Sequence, residues 1–90
     1  MNVPEIEIYT SPFCGFCARA KRLLDAKGVA YVEVDTFMSG AKRREMSDRA
    51  GGRTSVPQVF VDGAHLGDCD EIHAMDARGE LDAALGLAGG

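Results

Sequence analysis

The chain has 90 residues and no tryptophan, and its three cysteines are an odd number. It contains no stretch of 18 consecutive apolar residues, so no transmembrane helix is expected. Met1-Asn2-Val3-Pro4-Glu5 has neither the basic start nor the apolar run of a secretory leader, which makes the cytoplasm the expected location. No Lys/Arg run is interleaved with aromatic residues, so nucleic acid is not an expected partner. Three cysteines do not make a secreted disulfide framework. One close pair plus one single cysteine suits a reducing compartment, with a redox or metal-binding role.

The length allows one domain, and 46% hydrophobic residues supply one core without disulfide or metal staples. A single domain over 1–90 is expected. The net charge of −4 is unevenly distributed. Residues 11–54 carry nine Lys/Arg against five Asp/Glu, whereas residues 55–90 carry one Arg against seven acids. A basic half of this kind favours thiolates and small anions, although solvated helix faces account equally well for most of these charges.

Apolar spacing orders the elements. Glu5–Thr10 alternates, with Ile6 and Ile8 on one side and Glu7 and Tyr9 on the other, and reads as a strand. From Gly15 to Lys27, Cys17, Ala20, Leu23 and Leu24 share one helical face, and Gly28 provides the stop. Val29–Val34 reads as a second, more apolar strand, so a right-handed βαβ unit is expected. Ser39 is placed to cap a helix from Ala41 to about Ala50. The apolar stripe of that helix is thin (Ala41, Met46, Ala50), which predicts a largely exposed element. Val59–Val61 and Ala64–Leu66 flank Asp62-Gly63, a hairpin-turn signal. A helix then runs from Cys69 or Asp70 to Ala77, burying Ile72 and Met75. A short terminal helix falls within Glu80–Leu87, and Ala88-Gly89-Gly90 are expected to fray. The order β-α-β-α-β-β-α implies an α/β fold: a four-stranded mixed sheet flanked by helices.

Three places carry chemistry. Cys14-Gly15-Phe16-Cys17 lies where the first strand turns into the first helix. A thiol capping that helix meets unpaired N–H groups and the positive end of the helix dipole, which favour thiolate. Cys17, three residues on, can close a short disulfide, the minimum equipment for thiol–disulfide exchange. A zinc half-site is the alternative, but only His65, Cys69 and His73 remain to complete four ligands. Two inert buried thiols are a second alternative. Val56-Pro57 is either a plain strand-start proline or a cis peptide that turns the Val56 backbone outward. Gly67-Asp68-Cys69-Asp70 offers helix-start N–H groups to a carboxylate, or else Asp68 or Asp70 is simply an N-cap.

Taken together, Thr10 with Cys14-Gly15-Phe16-Cys17, Ser55-Val56-Pro57 with Phe60, and Gly67-Asp68-Cys69-Asp70 resemble the glutaredoxins, of the small bacterial dithiol type. That type also tends to carry a stretch such as Asp76-Ala77-Arg78-Gly79. The resemblance spans Glu5 to about Leu85. It implies a thioredoxin-like fold and a glutathione-dependent thiol–disulfide oxidoreductase acting on glutathionylated or disulfide-bonded proteins. Cys14 is then the nucleophile and Cys17 the resolving thiol. Phe16, Val56, a cis Pro57, Cys69 and Asp70 form the glutathione site, and Arg44, Arg49 or Arg53 meets the glycyl carboxylate. A monomer is expected.

The sequence departs from the family pattern in three places. Ser11 stands where Lys is frequent, and Asp68 replaces a glycine. Gly15-Phe16 replaces Pro-Tyr, as in the monothiol branch that holds a 2Fe–2S cluster. An alternative follows: two chains, each giving Cys14, bridged by a 2Fe–2S cluster with two glutathiones. The Trp-Pro segment typical of that branch is missing.

Overall fold

In a computed structural model, residues 3–87 are described and form one four-stranded sheet with helices on both faces. The expected frayed end, Ala88-Gly89-Gly90, lies outside the described residues. The elements are β1 (Ile6–Thr10), α1 (Gly15–Ala26), β2 (Val32–Asp35), α2 (Gly40–Arg49), β3 (Gln58–Val61), β4 (Ala64–Gly67), α3 (Cys69–Ala77) and α4 (Leu81–Ala84). Strand order is β2-β1-β3-β4. β1 pairs in parallel with β2, Tyr9 opposite Val34. It pairs antiparallel with β3, Ile8 opposite Val59. β3 and β4 form the expected hairpin.

β1 is central, so both of its faces are covered. Ile6 and Ile8 pack with Ala20 and Leu24 of α1, Ile72 of α3, and Leu81 and Leu85. Tyr9 points the other way and is also fully buried, with Phe60, Met46 and Ala50. Alternation alone assigned Tyr9 to a polar face. α2 covers that face with only Met46 and Ala50, and Ala41 is exposed. Ser39 caps α2 as expected, its Oγ accepting Lys42 N–H at 3.2 Å.

β2 is shorter than Val29–Val34 and lies at the sheet edge. Its pairing starts at Glu7 with Val32, one residue into β1, whose first residue, Ile6, is paired with Val61 of β3 on its other edge. Val29 and Tyr31 instead pack on the core from the connection, and Val32 is exposed. In α3, Ile72 is buried as expected and Met75 only half-buried. α4 is shorter than Glu80–Leu87. Gly86 turns to φ +77° beyond it and lies so close to Pro4 that a Cβ would collide with the Pro4 ring.

Candidate active site

The end of β1 is tied down before the chain turns outward. Thr10 is buried and its hydroxyl donates to Glu33 at 2.7 Å. Its carbonyl accepts Thr36 N–H at 2.8 Å and the Thr36 hydroxyl at 2.9 Å. Phe13 follows at φ +59°, fully exposed. Cys14 then adopts extended backbone and caps α1, its Sγ accepting Cys17 N–H at 3.1 Å. The two thiols differ. Cys14 is half-buried at the rim, whereas Cys17 is 2% exposed. Burial, reinforced by its hydrogen bond to Cys14, pushes the Cys17 thiol up to about 12. Gly15 leaves open space where a side chain would stand.

The Val56-Pro57 bond is cis, which decides between the two readings of that proline. The Val56 carbonyl lies 4.0 Å from Cys14 Sγ. Gln58, fully buried, donates from Nε2 to the Ser55 carbonyl at 3.1 Å, and its Oε1 meets His65 Nε2 at 2.6 Å. A groove of about 180 Å³ is lined by Phe16, Ser55, Val56, Pro57, Asp68, Cys69 and Asp70, and it reaches Cys14 through Val56, the carbonyl of which faces Cys14 Sγ. The structure therefore gathers all five predicted groove residues into one concavity. A larger hollow of about 540 Å³ lies against Thr10, Phe13, Cys14, Lys21 and Glu33. Lys21 and Glu33 there are paired at 3.0 Å, and Asp35 also lines that hollow.

Asp68, not Asp70, caps α3. Its Oδ1 accepts Glu71 N–H at 2.9 Å, and Glu71 Oε1 accepts Asp68 N–H at 2.9 Å, a complete capping box. Cys69 and Asp70 occupy the first turn of α3, immediately after this cap. Cys69 is buried, which raises its thiol pKa. Its sulfur lies 3.6 Å from His73 Nδ1, and that nitrogen lies 2.8 Å from the Cys69 carbonyl. His65 and His73 thus bind different partners, and among the described residues no group of three or more His, Cys, Asp or Glu is placed to hold a metal ion.

The three candidate arginines separate clearly. Arg49 donates to Glu7 at 2.8 and 3.2 Å and to the Tyr9 hydroxyl at 2.7 Å, and it stacks 4.3 Å over Phe60. Arg44 lines a different hollow on α2, with Glu45 and Asp48. Arg53 reaches the groove side, but donates to Asp68 and Glu71, each at 2.7 Å. Sequence reasoning missed Glu71 and Gln58. Glu71 was findable, because Asp68-x-x-Glu71 before an apolar residue is the capping-box spacing. Gln58 had no sequence signal.

The family model described as Glutaredoxin matches residues 6–66. Glutaredoxin 3 of Escherichia coli strain K12 is 51% identical over 80 residues, covering 89% of this chain and 95% of that protein. The solution structure of glutaredoxin from Brucella melitensis superposes with a TM-score of 0.79 at 42% identity, covering 90% of this chain and 87% of that one. A crystal structure of a buckwheat glutaredoxin–glutathione complex gives a TM-score of 0.82 at 27% identity, covering 94% and 79%.

Proposed function

The chain belongs to the glutaredoxin family, and on that premise we propose how its own residues carry out glutathione-dependent thiol–disulfide exchange on a thioredoxin-like fold. The observation that carries the reading is the asymmetry of the two thiols. Cys14 sits at the rim, its sulfur on a peptide N–H, while Cys17 is buried behind it.

In the first half-reaction Cys14 thiolate attacks the glutathionyl sulfur of a protein–glutathione mixed disulfide. A Cys14–glutathione disulfide forms, the protein–sulfur bond breaks, and the protein leaves as a thiolate that takes a proton from water. The thiolate of a second glutathione attacks the bound glutathionyl sulfur. Oxidised glutathione leaves and Cys14 thiolate is restored. With a protein disulfide, Cys14 instead forms a mixed disulfide with the protein. Cys17 then attacks Cys14 Sγ, its proton passing to the departing protein thiolate. The resulting Cys14–Cys17 disulfide is reduced by two glutathiones.

Glutathione lies along Phe16, Val56 and Pro57, with its backbone against that of Val56 and one carboxylate on the N–H groups of Cys69 and Asp70. The single domain spans residues 1–90, works as a monomer and acts in the cytoplasm. None of the described helices is long and apolar enough to cross a membrane. The test is a pair of variants assayed on a glutathionylated peptide. Cys14→Ser abolishes reduction and Cys17→Ser keeps much of it. Equal loss in both refutes the assigned roles.

A second reading, cluster binding, is favoured by the open space over Gly15 beside a rim thiol. One chain supplies a single accessible thiolate, Cys14. A 2Fe–2S cluster fits only between two chains, with two glutathiones giving the other ligands. Anaerobic purification with glutathione tests it: a brown dimer supports the reading and a colourless monomer ends it.

A further inference from the structure

The two walls of the groove come from separate stretches of chain. Ser55, Val56 and Pro57 form one, and Asp68, Cys69 and Asp70 the other. One guanidinium spans them. Arg53, two residues before Ser55, donates through NH1 to Glu71 Oε1 and through NH2 to Asp68 Oδ2, both at 2.7 Å. Its two acceptors are already locked together by the capping box. Glu71 folds back over Gly67 so closely that a Cβ there would lie 2.7 Å from Glu71 Cβ. On the other side of the same segment, Gln58 holds the Ser55 carbonyl. The stretch from Arg53 to Val56 is thus held from both directions, with Arg43 also donating to the Thr54 carbonyl at 3.0 Å. The β3–β4 pairing of Val59 with Gly67 fixes the far side of the groove, and the Arg53 fork is the side-chain tie from this stretch to the first turn of α3.

The charges point the same way. Arg53 faces two carboxylates, so the trio carries a net negative charge and has no cation to spare for an anionic ligand. Glu71 is held below the usual carboxylate range by the Asp68 N–H and by Arg53, which keeps it ionised and gripping. We propose that Arg53 is a positioning residue that sets the width of the glutathione groove by clamping the Val56 segment to the first turn of α3, and is not itself a ligand of the glutathione carboxylates. The proposal rests on the glutathione reading above. A lysine does not reproduce this fork, because all its donors leave one nitrogen, whereas Arg53 reaches Glu71 through NH1 and Asp68 through NH2 from one rigid plane.

The experiment measures kcat and KM for a glutathionylated peptide with the unsubstituted protein, Arg53→Gln, Glu71→Gln, the double variant and Arg53→Lys. Partly exposed ion pairs of this kind are worth up to about fivefold each. Arg53→Gln is expected to raise KM about threefold to fivefold with kcat within about twofold. Glu71→Gln shifts KM in the same direction by less. The double variant goes no further than Arg53→Gln, because both remove one clamp. Arg53→Lys does not restore the original KM.

A lower KM in Glu71→Gln overturns the proposal, because freeing Arg53 would then have created a better anion ligand. An unchanged KM in Arg53→Gln, or full rescue by Arg53→Lys, overturns it as well. If the unsubstituted protein saturates and all variants share its KM, the clamp fails alone. If the unsubstituted protein does not saturate at all, the glutathione reading fails and the clamp with it.

Discussion

Alkylation of the reduced protein with iodoacetamide separates the two active-site thiols and puts a number on the difference. Only thiolate reacts. Cys17 is pushed from an ordinary 9.0 up to about 12, chiefly by burial. Near neutral pH that lowers its thiolate fraction about a thousandfold relative to an unperturbed thiol. A more basic thiolate is also more nucleophilic. With a Brønsted slope of about 0.4 to 0.5, the three-unit rise returns a factor of about 15 to 30. The net expectation is a rate about 30-fold to 60-fold below a reference peptide thiol. At 2% exposure, restricted access lowers it further. Both cysteines fall in the tryptic peptide ending at Arg19, so fragment-resolved mass spectrometry at early times assigns each label. Cys14 labels first, and the Cys17 rate climbs about tenfold per pH unit with no plateau below pH 11. Cys17 labelling as fast as the reference thiol, or a plateau near pH 9, refutes the reasoning. The same shift couples to folding. A group whose folded pKa is raised stabilises fully below its unfolded value of 9.0. That stabilisation fades as pH climbs toward 12, at up to about 1.4 kcal/mol per unit.

Two further outcomes follow from the scaffold. Arg49 holds the Glu7 carboxyl below its ordinary value through a hydrogen-bonded pair, so that contribution is present above pH 4.5 and is lost as pH falls through the depressed folded value. Glu7→Gln is expected to cost about 2 kcal/mol at pH 7 in urea unfolding and to flatten the loss of stability below pH 4.5. Equal acid sensitivity in both proteins would contradict this. Gly67→Ala forces a Cβ into Glu71 at φ +139°. It is expected to cost about 1 to 2 kcal/mol in the same assay through the strained backbone and the opened capping box, and a neutral effect would mean that Glu71 is free to move away.

Much of the site was written in local patterns. Cys14 capping a helix needs only a strand, a short loop and an amphipathic run, each set by neighbours within a few residues. Asp62-Gly63 announced its hairpin for the same reason. Where residues answer to distant partners, local pattern misled. Tyr9 alternates with Ile8 and so looks outward. It is buried because α2, more than thirty residues later, lies over that face. Val29 and Tyr31 have the composition of a strand but pack on the core from the connection before β2, outside a ladder that starts at Glu7 and Val32.

The sequence by itself determined the elements, the mixed sheet they imply and the family motifs at Cys14, Pro57 and Asp70, because helix periodicity, turn chemistry and capping are short-range physics. Only the tertiary structure fixed the Val56-Pro57 isomer, which the residues left open and the resemblance implied, the depth at which Cys17 is buried behind Cys14, and the fate of the arginines. A cis bond depends on the surroundings that lock it. A thiol's pKa depends on what excludes water from it. Arg49 and Arg53 look interchangeable as charges along the chain. In space one is spent on Glu7 and Phe60 and the other on Asp68 and Glu71, because ion pairing is decided by distances that sequence separation does not encode.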